Sequence, residues 1–322
     1  MLTQALEAIA AQLKDQPWND QIEVIVCDNA SSDETEQAVK KIMDASAISR
    51  LTYFRQPENL GYDTNVYTAV QKAIGIFVYI VSDDDVLLPG ALQKLMRLMK
   101  EYPRSDAFCL NTYSFESDPL RMGRTRFTIA EDQVIPSADE CLRFLGTWLT
   151  FISAIAFRRE LIAGKDYIDR IGTIFIQSYC FLDVLIARPD KIPDMIVTSQ
   201  PFLAVRTDNV GSFHFFQGFV TNFRSLLDYA KQCGYSKSDI EQVWHRHLRR
   251  FVFPFICDFR MKGSFGELRF DCRDGLKRLL HGYPTDPFLF FAVIPSLLLP
   301  APLILQARNI YRTLKASKGA HE

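Results

Sequence analysis

Three short apolar runs, Ile22–Cys27, Leu51–Phe54 and Ile76–Val81, each lead through a polar turn into a segment whose apolar residues recur at helical spacing. The three segments place Ala38, Val39, Ile42 and Met43, then Val66, Ala69, Val70 and Ala73, then Leu92, Leu95, Met96 and Met99 on one side of a helix. Strand and helix in alternation imply an α/β class, a mostly parallel sheet flanked by helices. Ser31 with Glu34 makes a capping-box pattern before the first helix, Gly61 turns the chain before the second, and Pro89 stands where the third would begin.

In open sheets of this order, ligands bind outside the carboxyl ends of the strands. Two such ends are acidic: Asp28, followed by Asn29, closes the first run, and Asp83, Asp84 and Asp85 follow the third. Adjacent carboxylates push one another's pKa upward unless solvent or a cation relieves them. A solvated turn that caps the next helix is the ordinary outcome. A hard divalent cation, bound through one or two carboxylates plus substrate phosphates, is the alternative, and the coincidence of two acidic strand ends favours it.

Leu149–Phe157 reads as a strand, with a helix from Arg158, and residues 174–187 as a helix; a strand within Met195–Val205 runs into "VRTDNVGS". From Phe215 onward the pattern is helical, with Phe219, Phe223, Leu226, Leu227 and Ala230 on one stripe and a second helix over Ser238–Arg260. The change of pattern near Thr207 divides the chain into an α/β domain (1–207), a helical region (208–286) and a tail (287–322). Pro287–Gln306 holds no charged residue, yet Pro295, Pro300 and Pro302 argue against one regular helix. Arg308, Arg312 and Lys315 follow at helical spacing, as in segments that settle on anionic membrane surfaces, so interfacial contact is expected ahead of docking on the core or a true span. Met1–Gln12 reads as an amphipathic helix and lacks the basic start of a cleavable signal.

A formal net charge of -1 gives no electrostatic footprint for nucleic acid. Seven cysteines with no C-x-x-C pair, mostly in apolar stretches, suggest reduced thiols in a cytoplasmic protein and no zinc site. His245 and His247, two apart on a helix, point to different faces.

"VCDNASSDET", "RQPENLGYDTNVYTAVQKAIG" and "VYIVSDDDVLLPGAL" resemble, in order and spacing, the donor-binding half of family 2 glycosyltransferases of the GT-A fold. "FISAIAFRRELI" and "VRTDNVGSF" are more loosely similar to abequosyltransferase-type enzymes of bacterial O-antigen synthesis. The resemblance implies an inverting hexosyl- or deoxyhexosyltransferase that uses a nucleoside-diphosphate-sugar donor, Mn²⁺ or Mg²⁺, and a lipid-linked saccharide acceptor, peripherally attached to the cytoplasmic face of the inner membrane. By the same resemblance Asp28, with Asn29 beside it, would contact the nucleotide and Asp83 the ribose, while Asp84 would ligate the metal with Asp85 in support. Ser82 stands where many members carry Asp. Arg206 and Asn209 would lie near the pyrophosphate, where Arg can pair with phosphate oxygens; an ordinary loop pair with Asp208 is the alternative.

Two departures matter. Members begin with a strand and Pro-Thr-Tyr-Asn, whereas Met1 here falls within the helix that follows, from a start set too late or a fragment. The expectation is a gap between the Ile22 and Ile76 strands, with unpaired backbone on both neighbours. Second, "IFIQSYCFLD" has Gln177, Ser178 and Tyr179 where many relatives have the Glu-Asp pair that supplies the base. Asp183 is then the candidate base, with Asp166 and Asp169 as further options and a salt-bridged helix Asp as the other reading of Asp183. A catalytically impaired nucleotide-sugar-binding or scaffold protein on the same fold is the competing function.

Overall fold

The three apolar runs form strands, each no longer than its run except for one added polar residue: β1 (Val24–Asp28), β2 (Leu51–Arg55) and β3 (Phe77–Tyr79). The structure, a computed structural model, describes residues 1–188, 195–207, 213–262, 268–300, 302–304 and 306. The expected helices are α1 (Leu2–Leu13), α2 (Thr35–Asp44) and α3 (Tyr62–Lys72). After the acidic turn come β4 (Val86–Leu87) and α4 (Ala91–Glu101), the latter entered through Gly90 at φ +80°, a left-handed conformation that glycine adopts without strain. The capping box ahead of α2 does not form. Ser31 N–H donates instead to Asp28 Oδ1 at 2.8 Å, and Asp33 Oδ1 accepts from Thr35 N–H at 3.0 Å.

Further along lie β5 (Ala107–Phe115), β6 (Gln133–Ile135), α5 (Ala138–Leu145), β7 (Ile155–Arg158), α6 (Ile176–Ile186) and β8 (Met195–Arg206). Only the last part of the predicted strand 149–157 is extended; most of residues 146–154 form 3₁₀ turns. A short apolar run does not distinguish a strand from a buried turn by periodicity. Here the Ser153 carbonyl accepts from Tyr79 Oη at 3.0 Å, holding the segment against the end of β3.

The sheet is flanked by helices as expected, but its pairings are mixed. β1 and β2 pair in parallel as a two-stranded unit, and the larger sheet runs β3-β7-β5-β8-β4, with β6 also on β8. Within it β5 and β8 are parallel and every other pair is antiparallel. Leu6 and Leu13 of α1, Val39 of α2 and Leu95 of α4 share one core with Phe108 of β5 and Phe202 of β8. α6 packs against β5 and β7, with α3 and α5 beside it. Ala156 belongs to the first core while its neighbour Phe157 stacks edge-on against Phe181 of α6, so successive residues of β7 serve opposite faces.

Among the described residues, β1 pairs only with β2 and β3 only with β7. Two side chains serve the backbone at this break in the sheet. Asn65 Nδ2 donates to the Cys27 carbonyl at 2.8 Å, and Glu23 Oε1 accepts from both Ile74 and Gly75 N–H at 2.7 Å, tying the start of β1 to the start of β3.

Two units divide the chain: Met1–Asn209 with Tyr229–Asp239, and Val210–Asp228 with Ile240–Glu322. The remaining helices are α7 (Phe223–Gln232), α8 (Lys237–His247), α9 (Phe253–Lys262), α10 (Cys272–Gly282) and α11 (Ile294–Leu298). The second unit has an aromatic core in which Phe215 stacks on Phe255 at 4.0 Å and Trp244 on Tyr283 at 4.1 Å. Its histidines diverge as expected: His245 meets Asp286 and His247 the Phe219 carbonyl. Burial pushes His247 down to about 3, so it stays neutral at physiological pH. No described helix is long and apolar enough to cross a membrane.

Candidate functional site

Asp28 is the last residue of β1 and is 4% exposed. Its Oδ2 accepts from Tyr53 Oη at 2.6 Å and lies 3.5 Å from Arg55 Nε, both from β2. Burial pushes this carboxyl up, but the hydrogen bonds from Ser31 and Tyr53 and the Arg55 charge outweigh it and hold the pKa below the usual range. Burial and the Asp28 carboxylate together push Tyr53 up to about 12. Asn29 organises the next turn: its Oδ1 accepts from Leu60 N–H at 2.9 Å and its Nδ2 donates to Asn59 Oδ1 at 2.8 Å. The strand end is thus a pre-formed, ionised carboxylate in a rigid turn.

The acidic turn connects β3 to β4. Asp85 N–H donates to the Ser82 carbonyl at 3.3 Å, and Ser82 N–H to Ser153 Oγ at 2.9 Å. Asp83 faces solvent, Asp84 is half-buried with Ser82 Oγ donating to its Oδ1 at 2.6 Å, and Asp85 is 2% exposed. Asp85 Oδ1 accepts from Arg206 N–H at 3.0 Å, and Ser153 supplies a further side-chain hydrogen bond. Partial desolvation against the turn and then the Asp84 charge raise Asp83, although its outer side reaches solvent; desolvation raises Asp85 to about 6, with Asp84 adding and Ser153, Arg206 and Arg126 opposing.

Among the described residues no three His, Cys, Asp or Glu side chains form a ready-made metal cage. Asp84 nonetheless fits a hard cation that takes its other ligands from water and phosphate, with the buried Asp85, held by Arg206 N–H and Ser153, adding negative charge behind it. A pH dependence follows. A carboxylate whose pKa rises from about 4 unfolded to about 6 folded is neutral to stability below about pH 4, and its cost grows to about 2–3 kcal/mol as pH climbs through 6. The expected result is that cation-free Asp85→Asn melts higher than the parent at pH 7.5 and equal to it near pH 4. Indistinguishable melting profiles for parent and variant at pH 7.5 would overturn this account of Asp85.

Two of the expected site residues are held by partners within the fold. The Arg206 guanidinium is held by the protein: Nη2 donates to Gln4 Oε1 at 3.0 Å, Nη1 to the Glu116 carbonyl at 3.4 Å, and the plane lies over Phe115. Its contact with the acidic turn runs through its backbone N–H, so a phosphate would have to displace these partners. Asn209 and Asp208 lie outside the described residues. Asp183 does not fit a base. It is 2% exposed, Oδ2 accepts from Tyr167 Oη at 2.7 Å and Lys165 Nζ at 3.0 Å, and Oδ1 accepts from Tyr229 Oη at 2.7 Å. A carboxylate with both oxygens tied inside the fold is not presented to an acceptor hydroxyl. Gln177 and Ser178 bond the Thr150 and Leu149 carbonyls, at 2.9 and 3.0 Å. Asp166 and Asp169 keep solvent access, and Asp166 Oδ1 accepts from Tyr67 Oη at 3.3 Å.

Three side chains at or near the site escaped sequence reasoning. Ser153 joins the acidic turn through a contact between positions 71 apart in the chain. Asp63, in the first turn of α3, accepts from Gly172, Ile174 and Ile176 N–H at 2.8, 2.7 and 3.2 Å and so captures the entry to α6. Arg126 lies between Trp148 and Phe151, 3.8 and 4.3 Å from their ring centres, with Nε donating to Thr112 Oγ1 at 3.0 Å. Burial pushes it down to about 10, with the Asp85 carboxylate opposing. Within "RMGRTRF" it reads as one more solvated loop arginine.

The mixed sheet flanked by helices matches the GT-A fold of solved glycosyltransferases. TarS 1-349 from S. aureus, solved in complex with UDP, shares it: TM-score 0.62 at 18% identity, over 100% of this chain and 88% of that one. Residues 1–164, just over half of the 322, match the model of the family described as Glycosyl transferase family 2. The chain belongs to that family. Among curated proteins, the Campylobacter jejuni GalNAc(5)-diNAcBac-PP-undecaprenol beta-1,3-glucosyltransferase is 35% identical over 97 residues, 30% of each chain. An uncharacterized glycosyltransferase of Mycoplasma pneumoniae is 26% identical over 96 residues, 30% of this chain and 32% of its own. The matches thus span about a third of these relatives' length.

Proposed function

We propose that this chain transfers a hexosyl or deoxyhexosyl group, with inversion, from a nucleoside-diphosphate sugar to a hydroxyl of a lipid-linked saccharide during bacterial surface-polysaccharide synthesis of the O-antigen type, at the cytoplasmic face of the inner membrane. The observation that carries the reading is the acidic turn: three consecutive carboxylates at a strand's carboxyl end, one of them buried and raised to about 6. The named lipid-linked substrate of the Campylobacter relative supports the acceptor class.

In this reading Asp28 and Asn29 hold the nucleoside, Asp83 the ribose, and Asp84 and Asp85 a divalent cation. Bound there, Mn²⁺ or Mg²⁺ would neutralise the charge that grows on the leaving diphosphate. The acceptor oxygen forms its bond to the anomeric carbon as the bond to the diphosphate oxygen breaks; the electron pair leaves with the nucleoside diphosphate and the acceptor's proton goes to a base. Asp166 and Asp169 are the solvent-accessible carboxylates open to that role. The buried Gln177 and Ser178 favour a second reading, a protein that binds the nucleotide sugar without turnover.

The test is a thermal-shift titration with UDP, CDP, GDP and dTDP, each with Mn²⁺, Mg²⁺ or chelator. A ligand at 100 times its dissociation constant stabilises the fold by about 2.7 kcal/mol. One nucleotide should raise the melting temperature, and chelation should abolish the rise. A shift without release of nucleoside diphosphate from any matching donor would favour the second reading. No shift with any nucleotide would defeat both.

A further inference from the structure

Within the second unit, the described part of the uncharged segment from Pro287 holds no helix long enough to span a membrane, and it has two faces. Leu289, Val293, Leu297 and Ile304 are buried, and α11 packs against α9. The other face leaves Phe290, Phe291, Leu298, Leu299 and Leu303 exposed by 45, 85, 63, 41 and 48%. Scattered single exposed apolar residues are ordinary, whereas five within fourteen positions of one uncharged segment form a face.

Cations bracket this face. At its start the Arg249 guanidinium lies 5.2 Å from the Phe288 ring centre while pairing with Asp286. At its far end Arg260 Nη2 donates to the Leu299 carbonyl at 2.8 Å. In the sequence Arg308, Arg312 and Lys315 come next, and no Asp or Glu occurs between Asp286 and the last residue, Glu322. Aromatic and aliphatic side chains with Arg260 and a run of basic residues at one end match a lipid surface whose acyl boundary takes the rings and whose anionic headgroups take the net positive charge, the Arg249 charge being met by Asp286. A protein groove would supply the apolar complement without needing the excess of cations that follows the face in the sequence.

We infer that this face is the membrane-contacting surface of the protein, seated by Phe290, Phe291, Leu298, Leu299 and Leu303 in the headgroup–acyl boundary of an anionic leaflet. The inference deepens the membrane placement proposed above and rests on it. It does not depend on the donor site.

The experiment is co-sedimentation of the full chain, without nucleotide, with vesicles of phosphatidylglycerol and phosphatidylethanolamine and with vesicles of phosphatidylcholine alone. The parent should bind the anionic vesicles more tightly, and Phe291→Ser with Leu298→Ser should weaken that binding about tenfold or more. Both side chains are exposed, so the double variant should keep the parent's melting temperature and its nucleotide response. A parent that does not sediment with anionic vesicles, or a double variant that sediments equally well, overturns the inference. So does a parent that self-associates in light scattering, loses this in the variant and ignores vesicles, which would make the face a contact between copies. The nucleotide titration reports separately on the transferase reading.

Discussion

Asp84→Ala should abolish cation-dependent nucleotide binding and reduce transfer by about 100-fold or more while leaving the fold intact. Asp85 is committed to the interior, where Arg206 N–H and Ser153 hold it. Asp84 stands next to it, half-buried and oriented by Ser82 Oγ at 2.6 Å, between the buried carboxylate and the exposed Asp83. Its removal takes away a charge that a divalent cation would need, and metal-centred charge stabilisation is worth several kcal/mol in a transferring group. It also takes away a neighbour that raises both Asp83 and Asp85, so the cation-free variant should melt no lower than the parent. Calorimetric titration with the nucleotide found by thermal shift, at fixed Mn²⁺, measures the first effect. Parental affinity in Asp84→Ala would remove the acidic turn from the donor site.

The second large effect is on stability. Asp183→Asn should destabilise the first unit by about 3 kcal/mol, because a carboxylate that only accepts is replaced by an amide that must turn a donor toward Tyr167, Tyr229 or Lys165. Lys165 is 42% exposed and regains water, so the loss falls at the low end of that for a broken buried pair. In a unit of this size the change lowers the melting temperature by about 6–12 °C. Circular dichroism melts with a urea series separate this role from a catalytic one. A variant that melts with the parent but has lost turnover would restore Asp183 as the base.

Asp183 also shows where sequence reading fails. A mid-helix Asp among apolar residues must have a partner or a task, and that much is legible in "QSYCFLDVL". The choice between them depended on Tyr167, sixteen residues earlier, and Tyr229, forty-six later, which no local pattern connects to it. Arg206 is similar: its place after a strand was readable, but the occupation of its guanidinium by Gln4, 202 positions away, was not.

What the sequence determined by itself is what local rules govern. The alternation of apolar runs and amphipathic helices set the α/β class and placed β1, β2, β3, α2 and α3, because side-chain periodicity is fixed by the backbone repeat of each element. The position of Asp28 and Asp83–Asp85 at strand ends followed from the same count, since residues just past a strand must sit at its edge. The tertiary structure alone decided strand partners and directions, because ladder pairing joins distant segments: β5 takes β8 in parallel and β7 in antiparallel fashion, with nothing in any one strand to say so. It alone gave the three carboxylates different burial, from the solvent-facing Asp83 to the buried Asp85, because desolvation depends on Ser153, Arg126 and Arg206 arriving from elsewhere in the chain.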